Sequence, residues 1–526
     1  MKFFSAKLKS TTDFYTQIAL MLVIVLMVNV IFALAPWRVD LSEAKLYSIS
    51  PVTKQTLKNL DDVVNIKAYF TEDLPGYLVA VRQQVKDLLA EYQNYGQGKI
   101  QIKFINPNDN PLLEQEAAAL GLPPLQFNVV KKDKFEVAQG YLGIAILYGD
   151  KLETIPVVQD TSNLEYNLTA AIKKVISGQS FTIGILQKAD NLAPIESLSL
   201  LEKVLGQQYQ VRAVDLSGDE LIGSDISTLI IPGPYGKFTD RDLYVIDQYI
   251  MSGRGVLLAA DGVRLGENLQ ATPNDSNLFD LLKSYGVTVN RDLIYDPRYN
   301  GQASFSQGFV QFLTPYGFWP RVLKPGFNQD SVLVNKLESL YLAWGSSLDV
   351  TGAAGGQILA KTSPDSQVVK DNFNLSPQEQ PQGTTGSGNF PVAVLVKTKL
   401  SSYFKTPIPR VQSTEEQTTE TRIAEVAASK VVVISDADIV TDDFVRLYQE
   451  NMIFLQNIVD GLTLDESLAA IRSKAVSSRP IDELDDTART LVKYGNIVGV
   501  PLLVVLMAIV RFFWRRKSQR LGDAEI

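Results

Sequence analysis

The chain has 526 residues, 50 basic and 58 acidic, with no histidine and no cysteine. That composition excludes disulfides, thiol nucleophiles, histidine general bases, His or Cys zinc sites and Ser-His-Asp triads. The charge is also uneven. Residues 1–17 and 511–526 hold 8 basic and 3 acidic residues, which leaves 42 basic and 55 acidic between them, a net of −13. An acidic middle argues against nucleic acid as a partner, because phosphate backbones select basic faces.

The first element is an apolar run, Ile18 to Ala35, preceded by Lys2, Lys7 and Lys9. At about 1.5 Å per helical residue it just covers a hydrocarbon core of about 30 Å. A cleaved secretory signal is the competing reading, since Ala33-Leu34-Ala35 resembles a cleavage site. Pro36 directly after it, and a run longer than a signal core, favour an uncleaved anchor over residues 18–36. A second apolar run, Ile497 to Trp514, closes on Arg511, Arg515, Arg516, Lys517 and Arg520. The expectation is a second helix over 494–514, with basic tails 1–17 and 515–526 kept in the cytoplasm against anionic lipid. The predicted location is therefore the bacterial cytoplasmic membrane, with two passes, both termini inside and a large extracytoplasmic region.

Between the two runs, Ser50-Pro51 followed by VTKQTLKNL predicts a helix with Ser50 as N-cap. Strands are predicted at Val63–Phe70 and Ile100–Ile105, and helices at Leu78–Tyr95 and Pro111–Leu120. Strands at Leu125–Val130, Gly143–Tyr148 and Glu153–Val157 follow, then a helix at Leu164–Ile176. This βαβα–βββα order predicts a thioredoxin-like α/β domain over 37–178, without the CxxC that redox chemistry needs.

A second α/β domain is predicted over 179–464. Its strands, at Phe181–Leu186, Val211–Leu216, Thr228–Pro232, Gly255–Ala260, Val392–Val396 and Lys430–Ser435, are nearly continuously apolar. That pattern suits a doubly wound parallel sheet covered on both faces. Its helices are expected at Ile195–Leu205, Thr239–Met251 and Phe444–Ile458, with a long insertion at about 275–389. Thr362 to Asn389 and Arg410 to Thr421 read as polar loops, and 465–493 as a stalk back to the membrane.

Candidate chemistry concentrates at Ser435-Asp436-Ala-Asp438, followed by Asp442-Asp443. Carboxylates at the end of a parallel strand serve a hard cation or cap the next turn, so Asp436 and Asp438 are weak metal candidates. Asp261-Gly262 invites the same two readings. The run Asn106 to Pro111 reads first as a turn, with a cation site second. Gly352 to Gly356 reads as loop, and no P-loop occurs. Phe309, Phe312, Tyr316, Phe318 and Trp319 form either the core of the insertion or a surface for sugar or protein. No catalytic residue and no cofactor follows from any of these.

Several segments taken in order resemble the GldG-like auxiliary components of ABC transporters, first associated with gliding motility. They are Leu41 to Pro51, Val64 to Pro75, Asn106 to Pro111, Tyr141-Leu-Gly, Glu165 to Lys173, Ile231-Pro-Gly-Pro with the helix Phe238 to Gly253, and Asp465 to Arg472. The resemblance implies a non-catalytic subunit beside an ABC permease and a separate ATPase. It also implies a second domain similar to the GldG/intraflagellar-transport domain, related to amidotransferase-like folds. The competing expectation is a membrane-anchored carbohydrate-binding or carbohydrate-active protein of the envelope, with polysaccharide or protein as partner.

Overall fold

The computed structural model describes residues 16, 20–27, 48–472 and 486–512, apart from 73, 132–133, 180, 188–197, 219, 267–270, 308–309, 352–355, 372, 378–380, 382, 411–419, 465, 500 and 503–504. The chain divides into two compact units, Met1–Val476 and Ser477–Ile526.

Helix α1 (Pro51–Lys58) starts as the sequence requires. Proline occupies its first turn and the Ser50 hydroxyl accepts from the Thr53 N–H at 3.1 Å. Strand β1 (Val64–Phe70) and helix α2 (Gly76–Tyr95) follow, then β2 (Ile100–Ile105) and α3 (Pro111–Ala119). The Asn106–Pro111 run is a single 3₁₀ turn, Pro107–Asp109, after which Asn110 caps α3 by accepting from the Leu112 N–H at 3.0 Å. Strands β3 (Leu125–Lys131) and β4 (Lys134–Gly140) form a separate hairpin. β5 (Leu142–Tyr148), β6 (Lys151–Ile155) and α4 (Leu164–Ser177) complete this half.

The four-stranded sheet has the order β2-β1-β5-β6, with β1 parallel to β2 and antiparallel to β5. Alternation along β1 sends Val64, Ile66, Ala68 and Phe70 to one face, against Val85 and Leu89 of α2 and Leu168 and Ile172 of α4. Tyr69 goes to the other face, against Ala117 of α3.

The second half is built on β7 (Thr182–Leu186), α5 (Ser199–Leu205), β8 (Gln210–Val214), β9 (Ile226–Pro232), α6 (Asp240–Met251) and β10 (Gly255–Ala259). The insertion contributes α7 (Leu278–Ser284), a hairpin of β11 (Asn300–Gln307) and β12 (Val310–Leu323), and β13 (Gly356–Lys361). The chain then returns through β14 (Pro391–Val396) and β15 (Lys430–Ile434), and ends this unit with α8 (Asp442–Leu447), α9 (Gln449–Thr463) and α10 (Ser467–Arg472).

The large sheet has seven strands in the order β13-β14-β15-β10-β9-β7-β8. Five are parallel, while β14 and β13 run antiparallel along one edge. Both faces are buried, which explains the unbroken apolar runs. On one face Leu257 and Ala259 pack with Leu201 of α5 and Phe454 and Ile458 of α9. On the other, Val256 and Leu258 pack with Val245 and Ile246 of α6 and Leu281 of α7.

Three sequence expectations change. The helix expected at Phe444–Ile458 is two helices, because Tyr448 between them leaves helical geometry at φ −129° and ψ 86°. The polar run after Thr362 holds two short strands, Gln367–Val369 and Thr384–Thr385, which pair with each other. The insertion is no mere excursion, since its strand β13 extends the main sheet. Among the described residues no helix is long and apolar enough to cross a membrane. Parts of both apolar runs lie outside the described residues. Within them, Leu20–Met27 is helical with its side chains exposed.

The insertion closes over the carboxyl end of the sheet at Gly262, whose N–H donates to the Ser346 hydroxyl at 2.9 Å. A Cβ on Gly262 would stand 1.8 Å from the Asn290 carbonyl oxygen, a backbone atom that cannot rotate away. Gly262→Ala is therefore expected to destabilise the protein by about 3 kcal/mol, at the upper end of overpacking costs. Chemical denaturation of the two proteins checks this, and an unchanged midpoint counts against the closure.

Candidate functional site

Among the described residues, two of the buried clusters of polar side chains lie where the fold brings distant segments together. The first is the carboxyl edge of the large sheet, where open α/β sheets place ligands. Asp261 leaves β10 and Asp436 leaves β15, both buried. One Asp261 oxygen accepts from the Ala437 N–H at 2.6 Å and the other from the Tyr235 hydroxyl at 2.8 Å. Asp436 accepts from the Ala343 N–H at 2.7 Å, and on its other oxygen from the N–H groups of Asp438 at 2.8 Å and Ile439 at 3.3 Å. The Asp436 carboxylate thus ties the insertion to the strand end and caps the 3₁₀ turn Asp438–Val440. Asp442 serves a different helix: it accepts from the Leu200 N–H at 2.7 Å and from the Ser199 hydroxyl, at the start of α5. Among the described residues no group of three or more acidic side chains is placed to hold a metal ion.

Beside this edge stands an aromatic wall. Trp319 meets Trp344 edge-on at 5.4 Å and Phe444 at 5.6 Å, and Tyr341 stacks on Tyr448 at 3.9 Å. Tyr316 and Phe318 are buried behind them. These two belong to the core of the insertion, as one of the two sequence readings has it. Phe312 lies apart, 43% exposed, and Phe309 falls outside the described residues.

Burial sets the charge of the three aspartates. It raises Asp261 to about 8 and Asp438 to about 6, and lifts Asp436 well above the usual carboxylate range. Mutual repulsion adds to the rise at Asp261 and Asp436.

The second place is the junction between the two halves, on helix α4. Glu165 of α4 accepts from the Ser50 N–H at 2.5 Å and from the Thr53 hydroxyl at 2.7 Å. Tyr92 of α2 closes this contact through the Thr169 hydroxyl at 2.6 Å. The neighbouring side of α4 receives α10: Tyr166 and Ala170 pack with Leu468 and Ile471, and Val52 of α1 joins them. Beneath α10, Arg472 pairs with Asp460 of α9 at 2.6 Å, their side chains 5% and 1% exposed. The guanidinium lies 3.8 Å over the Tyr166 ring, and the Tyr209 hydroxyl donates to Asp460 at 2.6 Å. Burial pushes the Asp460 carboxyl upward against the pull of Arg472 and Tyr209, while Asp460 holds Arg472 above its ordinary value despite desolvation.

Segments that are far apart in sequence therefore meet on one helix. Ser50, Glu165 and Thr169, and Leu468 to Arg472 belong to three of the segments that carry the family resemblance. The stretch expected to be stalk begins as a buried helix, because Leu468, Ala469, Ile471 and Arg472 cover α4 and α9. In the sequence this stretch reads as part of the stalk, singled out only by the family resemblance. Nothing in it pairs Arg472 with Asp460.

Two outcomes follow from these geometries. An unfolded aspartate titrates near 3.8, whereas folded Asp261 keeps its proton up to about 8. The folded state binds more protons across that window, so this contribution is complete below about pH 4 and vanishes as pH rises through 8. Thermal unfolding followed over that range should show stability falling as pH rises from about 4 to about 8, a fall that Asp261→Asn flattens; parallel curves would refute it. At the junction, Arg472→Met leaves Asp460 buried without its cation and should cost about 3–5 kcal/mol, with Asp460→Asn in the same chain recovering part of the loss. Denaturation of the single and double variants measures both.

Comparison with known proteins places the chain. The family described as "ABC-type uncharacterized transport system" matches residues 181–458, and a domain family of unknown function matches residues 43–147. A relative in Borreliella burgdorferi (strain ATCC 35210 / DSM 4680 / CIP 102532 / B31), an uncharacterized protein, is 23% identical over 531 residues, covering 97% of this chain and 100% of the relative. Among solved structures, the mmIFT52 N-terminal domain aligns at 16% identity over 53% of this chain and 97% of that one, with a TM-score of 0.34, too low to carry an argument. The match over residues 181–458 spans more than half of the sequence, and the chain belongs to this ABC transporter auxiliary family.

Proposed function

We propose that the protein is a non-catalytic, membrane-anchored subunit of an ABC transport system, standing beside a permease and a separate ATPase. In this reading residues 18–36 and 494–514 are bilayer helices, both termini are cytoplasmic, and the acidic region between them is extracytoplasmic. The sheet order β2-β1-β5-β6 supports a thioredoxin-like first domain over 37–178, set aside from redox work by the lack of cysteine. The seven-stranded sheet supports a doubly wound second domain over 179–464, of amidotransferase-like descent but without a Cys-His pair.

The observation that carries the reading is the junction on α4. Helix α1 follows the first apolar run and α10 precedes the second, and the two pack together against α4. Tethers that leave from one place can enter one membrane side by side, as docking on a single permease requires. The rigid contact also gives permease movement a path to both halves of the ectodomain, which would engage the transported solute or an envelope partner. The ATPase supplies the energy, so this chain needs no acid–base machinery.

The test is co-purification from native membranes in mild detergent. Full-length protein should bring down an ABC permease and its ATPase, and removal of residues 497–526 should abolish that recovery while the rest stays folded. Recovery of the protein alone, or only with envelope polysaccharide, would instead favour an anchored carbohydrate binder.

A further inference from the structure

We propose that the amino-terminal edge of the large sheet carries a binding site for a phosphate-bearing anion, centred on Arg254 and Lys430. A cleft of about 440 Å³ opens there, lined in part by Gln179, Asp225, Ser227, Arg254, Lys430 and Thr463. Gly255 at the start of β10 lies directly beside Lys430 at the start of β15. Arg254 and Lys430 thus enter the cleft from neighbouring strands, both half-buried. Among the described residues neither forms an ion pair. Asp225, the acid of the lining, is held by Arg212 at 2.6 Å, and Arg212 lines an adjoining cleft.

Two cations lining one cleft can both attract the same dianion. A guanidinium presents a fork to two oxygens of one phosphate, while an ammonium adds a point charge from the side. The Ser227 hydroxyl and the Gln179 amide supply neutral donors on the same wall. Helices α6 and α9 end on this edge, so their carbonyl ends attract cations rather than anions. The hold on phosphate must therefore come from the two side chains.

Position gives the site a consequence. Gln179 belongs to the connection from α4 to β7, and Thr463 ends α9 just before α10. An anion in the cleft touches both segments that flank the tether junction. The site stands independently of the accessory reading, because binding needs no permease.

Full-length protein in neutral detergent, titrated calorimetrically at fixed chloride, tests the proposal with two probes. One is inorganic phosphate, and the other is a short-chain phosphatidic acid kept monomeric. Saturable binding of phosphate alone identifies a soluble ligand, and tighter binding of the lipid identifies a headgroup. In either case the R254Q/K430Q double variant should lose at least about tenfold in affinity. Its thermal midpoint without phosphate should stay close to that of the parent protein, since neither side chain forms an ion pair among the described residues. No saturable heat with either probe, or equal affinity in the double variant, would overturn the proposal.

Discussion

The contact between Arg472 and Asp460 constrains the rest of the molecule, because it buries two charges out of reach of solvent. A buried pair of this kind adds little stability by comparison with an apolar contact of the same shape, but breaking it is costly. Its value lies in position. Arg472 ends α10, and Asp460 sits within α9, which covers one face of the large sheet. Tyr166 of α4 supplies the ring under the guanidinium and so brings the first half of the chain into the same contact. Displacing α10 would expose the pair and disturb both sheets at once. The junction therefore links α10 to α4, and through Glu165 to Ser50, where the first half begins.

The carboxyl edge is held on a different principle. Asp436 and Asp261 lie too deep to keep full charge comfortably, and each carboxyl group accepts at least one backbone N–H. Asp436 fastens the insertion at Ala343, and beside it the Ser346 N–H donates to the Ser435 carbonyl, so strand ends that would otherwise expose unpaired backbone groups are covered. The aromatic wall of Trp319, Trp344 and Phe444 seals the same seam with edge-on contacts.

The parts of the fold legible in the sequence are those in which local pattern and tertiary burial agree. Strands β7, β9, β10 and β15 are apolar throughout because both faces of their sheet are covered, and the text of the chain says so directly. Strand β4 escaped notice because Lys134, Glu136 and Gln139 dilute its pattern and it pairs only with β3. Strand β13 escaped because it joins the sheet as an antiparallel edge with two register shifts, following a glycine run that reads as loop. The break at Tyr448 has no local punctuation, neither glycine nor proline. It is fixed by the ring's stacking on Tyr341, more than a hundred residues away. For the sites, the sequence pointed to Asp261, Asp436 and Asp438 through their place after apolar strands. Tyr235 and Ala343, which decide what those carboxylates do, come from loops whose proximity only the fold creates. Arg472 stood out in the sequence only as the end of a resemblance segment in the expected stalk, with no sign of its partner.

In the proposed role the protein has two demands that compete: a firm joint to its tethers, and a surface that their movement can alter. The arrangement here separates them along the large sheet. The tether junction and the cationic cleft lie where strands start, close to α4, Gln179 and Thr463, while the insertion and its aspartates lie where strands end. Parallel strands packed on both faces are stiff, and they connect the two edges through one closely packed layer.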